Sequence, residues 1–166
     1  MSISKIDLIL DDLKGNHVLL AHSGGVDSCV LAEIFINKKI NFSVAHCNFK
    51  LRNEDSDRDE AFVKELAHQF NVPFYVQTFE TNTYAKENRI SIQMAARDLR
   101  YQWFELLSKS KGYDKILTAH HQDDAIETLI IKKSRKSSIG ALQGIPVKNA
   151  NIVRPLLSFS VSQIQH

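Results

Sequence analysis

A chain that passes from four consecutive apolar residues, Val18 to Ala21, straight into His22-Ser23-Gly24-Gly25 and then into a helix-forming run has few folds open to it. The apolar stretch reads as a buried strand, and the run after the turn carries Val30, Leu31, Ile34 and Phe35 on one helical side. Paired glycines allow positive φ and close backbone approach, while the first N–H groups of the following helix lack partners within it. A strand, a glycine turn and a helix N-terminus together make an anion site. Neither a Gly-x-x-x-x-Gly-Lys-Ser/Thr loop nor a Gly-x-Gly-x-x-Gly loop is present, which excludes the two commonest nucleotide loops. The alternative is a plain strand-to-helix turn whose Ser, Asp and Gly serve turn and cap chemistry only.

The rest of the chain repeats the strand-then-helix order. An amphipathic helix with Ile3, Ile6, Leu10 and Leu13 precedes the first unit. The second unit is a strand at Phe42 to His46 and a helix from about Asp55 to Phe70, with Phe62, Leu66 and Phe70 as its apolar stripe. A third strand, Phe74 to Phe79, is followed by a less regular segment. Ser91 then caps a long helix whose face is Ile92, Ala95, Ala96, Leu99, Trp103, Leu106 and Leu107, ending at Gly112. A fourth strand, Lys115 to Ala119, leads into a helix with Ile126, Leu129 and Ile130. Beyond a loop with Gly140, Gly144 and Pro146 comes a short last strand, Ile152-Val153. Alternation of this kind predicts an α/β fold, a parallel five-stranded sheet with helices on both faces. One domain is expected over residues 1–166, with its core at about 15–157. Residues 158–166 read as the start of a helix leading into further regions.

Charge and cysteine content narrow the chemistry. A net charge of +2 leaves any nucleic-acid contact to local patches. The two cysteines, Cys29 and Cys47, form no Cys-x-x-Cys pair and read as core fillers rather than metal or disulfide partners. With no signal segment or spanning apolar run, a cytoplasmic location is expected.

Ligands of an open parallel sheet bind outside the carboxyl ends of its strands. There the sequence places Ser23-Gly24-Gly25, His46-Cys-Asn48 and His120-His121-Gln-Asp123-Asp124. Ser23-Gly24-Gly25-Val26-Asp27-Ser28 resembles the PP-loop of the ATP pyrophosphatases, with a Rossmann-like fold of the adenine nucleotide alpha hydrolase type. Together with His46-Cys-Asn-Phe-Lys-Leu-Arg52, Ile92-Gln-Met-Ala-Ala-Arg97-Asp-Leu-Arg100-Tyr101, Thr118-Ala-His-His121-Gln-Asp-Asp124-Ala-Ile-Glu127-Thr128 and Arg154-Pro-Leu-Leu157, the chain resembles the tRNA(Ile)-lysidine synthetases from about Gly15 to its end.

That resemblance implies a two-step ligation. ATP adenylates the wobble cytidine of tRNA(Ile); the amine of free L-lysine then displaces AMP, giving lysidine. Ser23, Gly24, Gly25, Val26, Asp27 and Ser28 would hold the pyrophosphate portion through backbone N–H groups and hydroxyls, with His46 in the nucleotide-binding set. Asp27 and Asp124 are the candidate Mg²⁺ ligands. Asp123 is a helix N-terminal acid of the dipole-complementing kind or a second functional one. His121 would shuttle a proton or meet the α-phosphate, and Glu127 would orient it or stand as a surface acid. Arg97 would neutralise a phosphate or the lysine carboxylate, or else belong to a solvated helix face. Lys132, Lys133, Arg135 and Lys136 would contact the tRNA backbone or form a solvated turn.

Two stretches depart from the family pattern. Phe49-Lys50 replaces a His-Gly pair, and Arg135-Lys136-Ser-Ser138 replaces an Arg-Gly-x-Gly turn. The competing readings are another PP-loop tRNA modifier such as a thiolase, for which these two cysteines are unsuited, and a nucleotide-binding module without catalysis.

Overall fold

The computed structural model describes residues 3–127 and 146–164. The basic cluster Lys132 to Lys136 and the glycines Gly140 and Gly144 lie outside them. The strands are β1 (Val18–Ala21), β2 (Ser43–Asn48), β3 (Phe74–Thr78), β4 (Lys115–Thr118), β5 (Lys148–Asn149) and β6 (Ile152–Val153). The helices are α1 (Ile3–Asp11), α2 (Val26–Asn37), α3 (Glu54–Gln69), α4 (Thr81–Asn88), α5 (Ile92–Lys111), α6 (helical over 122–127) and α7 (Val161–Ile164).

The sheet has the order β3-β2-β1-β4-β6-β5, parallel except for β5, which pairs antiparallel with β6. Among the described residues there are thus six strands, where the sequence predicts five. The extra one, Lys148-Asn149, is exposed and folds back through Ala150 at φ 52°, so it needs none of the apolar patterning that marks a buried strand.

Because successive side chains of a strand face opposite ways, β1 feeds two cores. Val18 and Leu20 join Val44, Leu117 and Val153 against α1, α2 and α3, where Ile6, Leu10, Leu31, Phe35, Val63 and Ala67 are buried. Leu19 faces the other side with Ala45 and Ile116, beneath Phe104 and Leu107 of α5. Neither face of the central strands meets water, which is why β1 reads as an unbroken apolar run.

Three expectations shift. The buried stripe of α3 is Ser56, Val63 and Ala67, while Phe62 is 47% exposed, because the small residues let the helix lie close to the sheet and the bulkier ones flank it. On α5, Ala95, Ala96, Phe104 and Leu107 are buried; Ile92 and Leu106 face outward. The segment expected to be irregular holds α4, pinned by Thr81, whose hydroxyl donates to the Phe49 carbonyl at 2.8 Å, and by buried Ala85. The ends of α5 are as the sequence predicts: Ser91 accepts from the Met94 N–H at 3.2 Å, and Gly112 closes the helix at φ 73°.

Candidate active site

Strand order reverses between β1 and β4, so the connections leaving their carboxyl ends diverge and open a crevice. A cavity of ≈ 400 Å³ occupies it, reaching from Ser23, Asp27 and Ser28 to His120, His121 and Asp124.

The turn after β1 is held by its own side chains. The Gly24 N–H donates to His22 Nδ1 at 3.1 Å and the Gly25 N–H to Ser23 Oγ at 3.3 Å. Ser28 Oγ donates to the Gly25 carbonyl at 2.7 Å and lies 3.3 Å from Ser23 Oγ. Gly24 sits at φ +91°, and Gly25 is the N-cap of α2 with no side-chain cap. The first turn of α2 therefore opens at the cavity mouth with its N–H groups uncapped by a side chain, an arrangement that suits an anion.

His22 is the scaffold of this turn. Since Nδ1 accepts the Gly24 N–H, that nitrogen carries no proton; burial, and then the neighbouring His46, push the imidazole down to about 4. His46 Nδ1 donates to the His22 carbonyl at 2.8 Å, since a carbonyl only accepts, and this ties β2 to the turn. His46 lines the cavity.

Across the crevice, His121 gathers the acids. Its Nε2 stands 3.5 Å from Asp27 Oδ2 and 3.5 Å from Asp124 Oδ2, and its Nδ1 is 3.6 Å from Asp123 Oδ2. These separations are longer than those of well-formed hydrogen bonds. Asp124 Oδ2 also accepts the His121 N–H at 2.8 Å, the return half of a capping box at the start of α6. Asp27 Oδ1 and His121 Nδ1 are buried without a hydrogen-bond partner. Among the described residues no three His, Cys, Asp or Glu side chains form a metal-ligand group.

Residues 1–166 match the PP-loop domain family throughout. The chain belongs to that family. It is 44% identical over 98% of its length to tRNA(Ile)-lysidine synthase of Bacteroides thetaiotaomicron, of which it covers 37%. It is 43% identical over 98% of its length to the enzyme of that name from Parabacteroides distasonis, covering 36% of it. The chain thus spans a little over a third of these relatives. Among solved structures it is similar to the U34-tRNA thiolase NcsA of Methanococcus maripaludis, at TM-score 0.77 and 19% identity, covering 98% of this chain and 60% of that one. It is also similar to the NH3-dependent NAD synthetase of Campylobacter jejuni, at TM-score 0.63 and 16% identity, covering 97% and 67%. At these identities the likeness is one of fold.

Within this PP-loop domain the residues singled out by sequence do not all converge. Ser23, Asp27, Ser28, His46, His121 and Asp124 line one cavity. The Val26 side chain is exposed. Arg97 lies exposed on α5 with Cζ 5.0 Å above the Tyr101 ring, outside the cavity lining. One turn on, Arg100 lines the cavity with Cζ 5.2 Å above Phe49. Helix periodicity puts both on one polar side, and only the direction of α5 across the sheet selects Arg100. Asp123 serves packing, accepting the Val161 N–H at 3.0 Å, and Glu127 is exposed.

Other residues in or near the site are given no individual role by the sequence reading. His120 lies beside His121 but turns to Thr118 Oγ1 at 2.8 Å. Burial pushes it down to about 4; Asp124 opposes this, and the charges of Arg154, Arg100 and Arg97 add to it. Arg154 is buried, with Nη1 donating to the Pro146 carbonyl at 2.9 Å. His22 carries one visible signal, an ionisable residue between a buried strand and a glycine turn. Asp59 carries none. Cys47 lines the cavity, but burial pushes its thiol up to about 12, so it is no ready nucleophile.

The PP-loop family carries ATP binding with it. Among the described residues no helix is long and apolar enough to cross a membrane.

Proposed function

We propose that this PP-loop domain binds ATP with Mg²⁺ and, in the protein that carries it, adenylates the wobble cytidine of tRNA(Ile) for ligation of free L-lysine, forming lysidine with release of pyrophosphate and AMP. What carries the reading is one juxtaposition: the uncapped N-terminus of α2 opens beside an imidazole that two carboxylates approach to 3.5 Å. The substrate follows from the likeness to synthases of that name.

The chain's residues divide the work. Backbone N–H groups of the first turn of α2, with the Ser23 hydroxyl, hold the pyrophosphate portion and stabilise the charge that builds as it leaves, while the Gly24 and Gly25 N–H groups and the Ser28 hydroxyl keep the turn in shape. The Asp27 Oδ1 left without a partner suits a cation, and carboxylate oxygens on Asp27 and Asp124 suit a hard one, so these two residues fit Mg²⁺. Bound there, the ion would neutralise phosphate charge. His121 takes the proton that the attacking amine loses, its Nε2 standing 3.5 Å from Asp27 and Asp124. Arg100 supplies one of the cavity's cations for a phosphate or the lysine carboxylate, with Arg97 as an outer charge. Lys132, Lys133, Arg135 and Lys136 supply charge for the tRNA backbone.

ATP–pyrophosphate exchange with tRNA(Ile), in the full-length protein, tests this. Exchange that requires tRNA, followed by product that requires lysine, is expected. Nucleotide binding without exchange would make the domain a binding module, and dependence on a sulfur donor would make it a thiolase.

A further inference from the structure

On the α3 side of the glycine turn stands a second pair of charges, and its meaning rests on the ATP reading above. Asp59 of α3 packs so closely on Gly24 that a Cβ there would lie 3.1 Å from Asp59 Cβ and 3.2 Å from its Cγ. Asp59 Oδ2 accepts from Arg52 Nη2 at 2.5 Å, and both residues line the cavity that holds Ser23 and Ser28. A carboxylate touching an anion-binding turn opposes the anion unless a cation accompanies it. Arg52 is that cation, and its side chain is 67% exposed, leaving most of its donors open.

The loop beneath it is held from several sides. The Arg52 N–H donates to Ser56 Oγ at 3.2 Å and the Lys50 N–H to Asn48 Oδ1 at 3.0 Å. Asn48 Nδ2 in turn donates to Asp57 Oδ1 at 3.0 Å and Glu60 Oε2 at 2.8 Å. With the backbone pinned, the guanidinium is the part free to move.

We propose that Arg52 closes over the β- and γ-phosphates of ATP and over the pyrophosphate product, exchanging Asp59 for phosphate oxygens, and that Asp59 is the positioning residue that parks the guanidinium beside the turn. The planar fork that grips a carboxylate grips a phosphate equally well. Donors then surround the leaving group from two sides, the N-terminus of α2 and Arg52. The domain thereby senses phosphate-chain length, because AMP lacks the groups that draw Arg52 across.

Calorimetric titration of the chain with inorganic pyrophosphate, ATP and AMP, each with Mg²⁺, tests this. Arg52→Ala weakens pyrophosphate and ATP by about tenfold or more, leaving AMP within about twofold, and Arg52→Lys recovers part of the loss. Asp59→Asn tightens pyrophosphate several-fold by removing the competing carboxylate; a merely structural Asp59 would instead weaken all three ligands. Thermal melting without ligand checks each fold, and Arg52→Gln serves if Arg52→Ala does not fold. Unchanged pyrophosphate affinity in the Arg52 variants, or an equal loss of AMP, overturns the proposal. A parent chain that binds neither ATP nor pyrophosphate overturns the ATP reading instead.

Discussion

His121 Nε2 stands 3.5 Å from Asp27 Oδ2, joining the loop after β4 to the first turn of α2 across the point where strand order reverses. The other oxygen of that carboxylate is buried and unpartnered. An arrangement of this kind costs stability.

Asp27→Asn removes that charge without changing shape. The folded chain is expected to melt no lower than the parent, while its stabilisation by ATP with Mg²⁺ falls and exchange drops by about a hundredfold. Paired thermal melts with and without nucleotide check the first part, and exchange assays of the full-length protein the second. Equal exchange rates would remove Asp27 from the site.

Gly24 and Gly112 both hold positive φ, at +91° and +73°, but only Gly24 has a neighbour where a Cβ would go. Gly112→Ala is expected to cost about 1 kcal/mol from backbone strain alone. Gly24→Ala adds the clash with Asp59 and should cost about 2–3 kcal/mol in urea unfolding, with loss of pyrophosphate binding.

Acid sensitivity follows from His22 and His120, both held down to about 4 by burial. Unfolded, each takes up a proton near 6.5, so the unfolded chain binds more protons between about pH 6.5 and 4, and stability falls as pH drops through that window. Each contributes a slope of up to about 1.4 kcal/mol per pH unit. Urea denaturation at pH 7 and pH 5 reads the sum, and His120→Asn should flatten it by roughly half.

Cys47 tests the sulfur-transfer alternative. With its thiol pushed up to about 12, alkylation at pH 8 should be far slower than for a free thiol near its ordinary value. Cys47→Ala is expected to retain exchange within about threefold. Loss of product formation with exchange intact would point to a working thiol.

Local patterns that carry their own physics were readable in advance. The apolar run Val18 to Ala21, the Gly24-Gly25 turn, the Ser91 cap and the Gly112 stop each state a backbone requirement met within a few residues, and strand–helix alternation then implies a parallel sheet. The short β5 was not legible, because an exposed two-residue edge strand needs no buried face. Nor was the buried stripe of α3, where small residues outrank Phe62 for reasons that lie in the sheet beneath.

For the site, the division lies between residue types and their meeting. By itself the sequence determined the strand–glycine–helix turn and the family motifs, because strand, glycines and helix start are contiguous. Tertiary structure alone decided that His121 Nε2 is the atom standing 3.5 Å from both Asp27 and Asp124, that Arg100 rather than Arg97 lines the crevice, and that Asp59 holds Arg52 while packing on Gly24. Those relationships join strands and helices distant in sequence. They depend on sheet order and helix direction, which only the packing of the two faces sets.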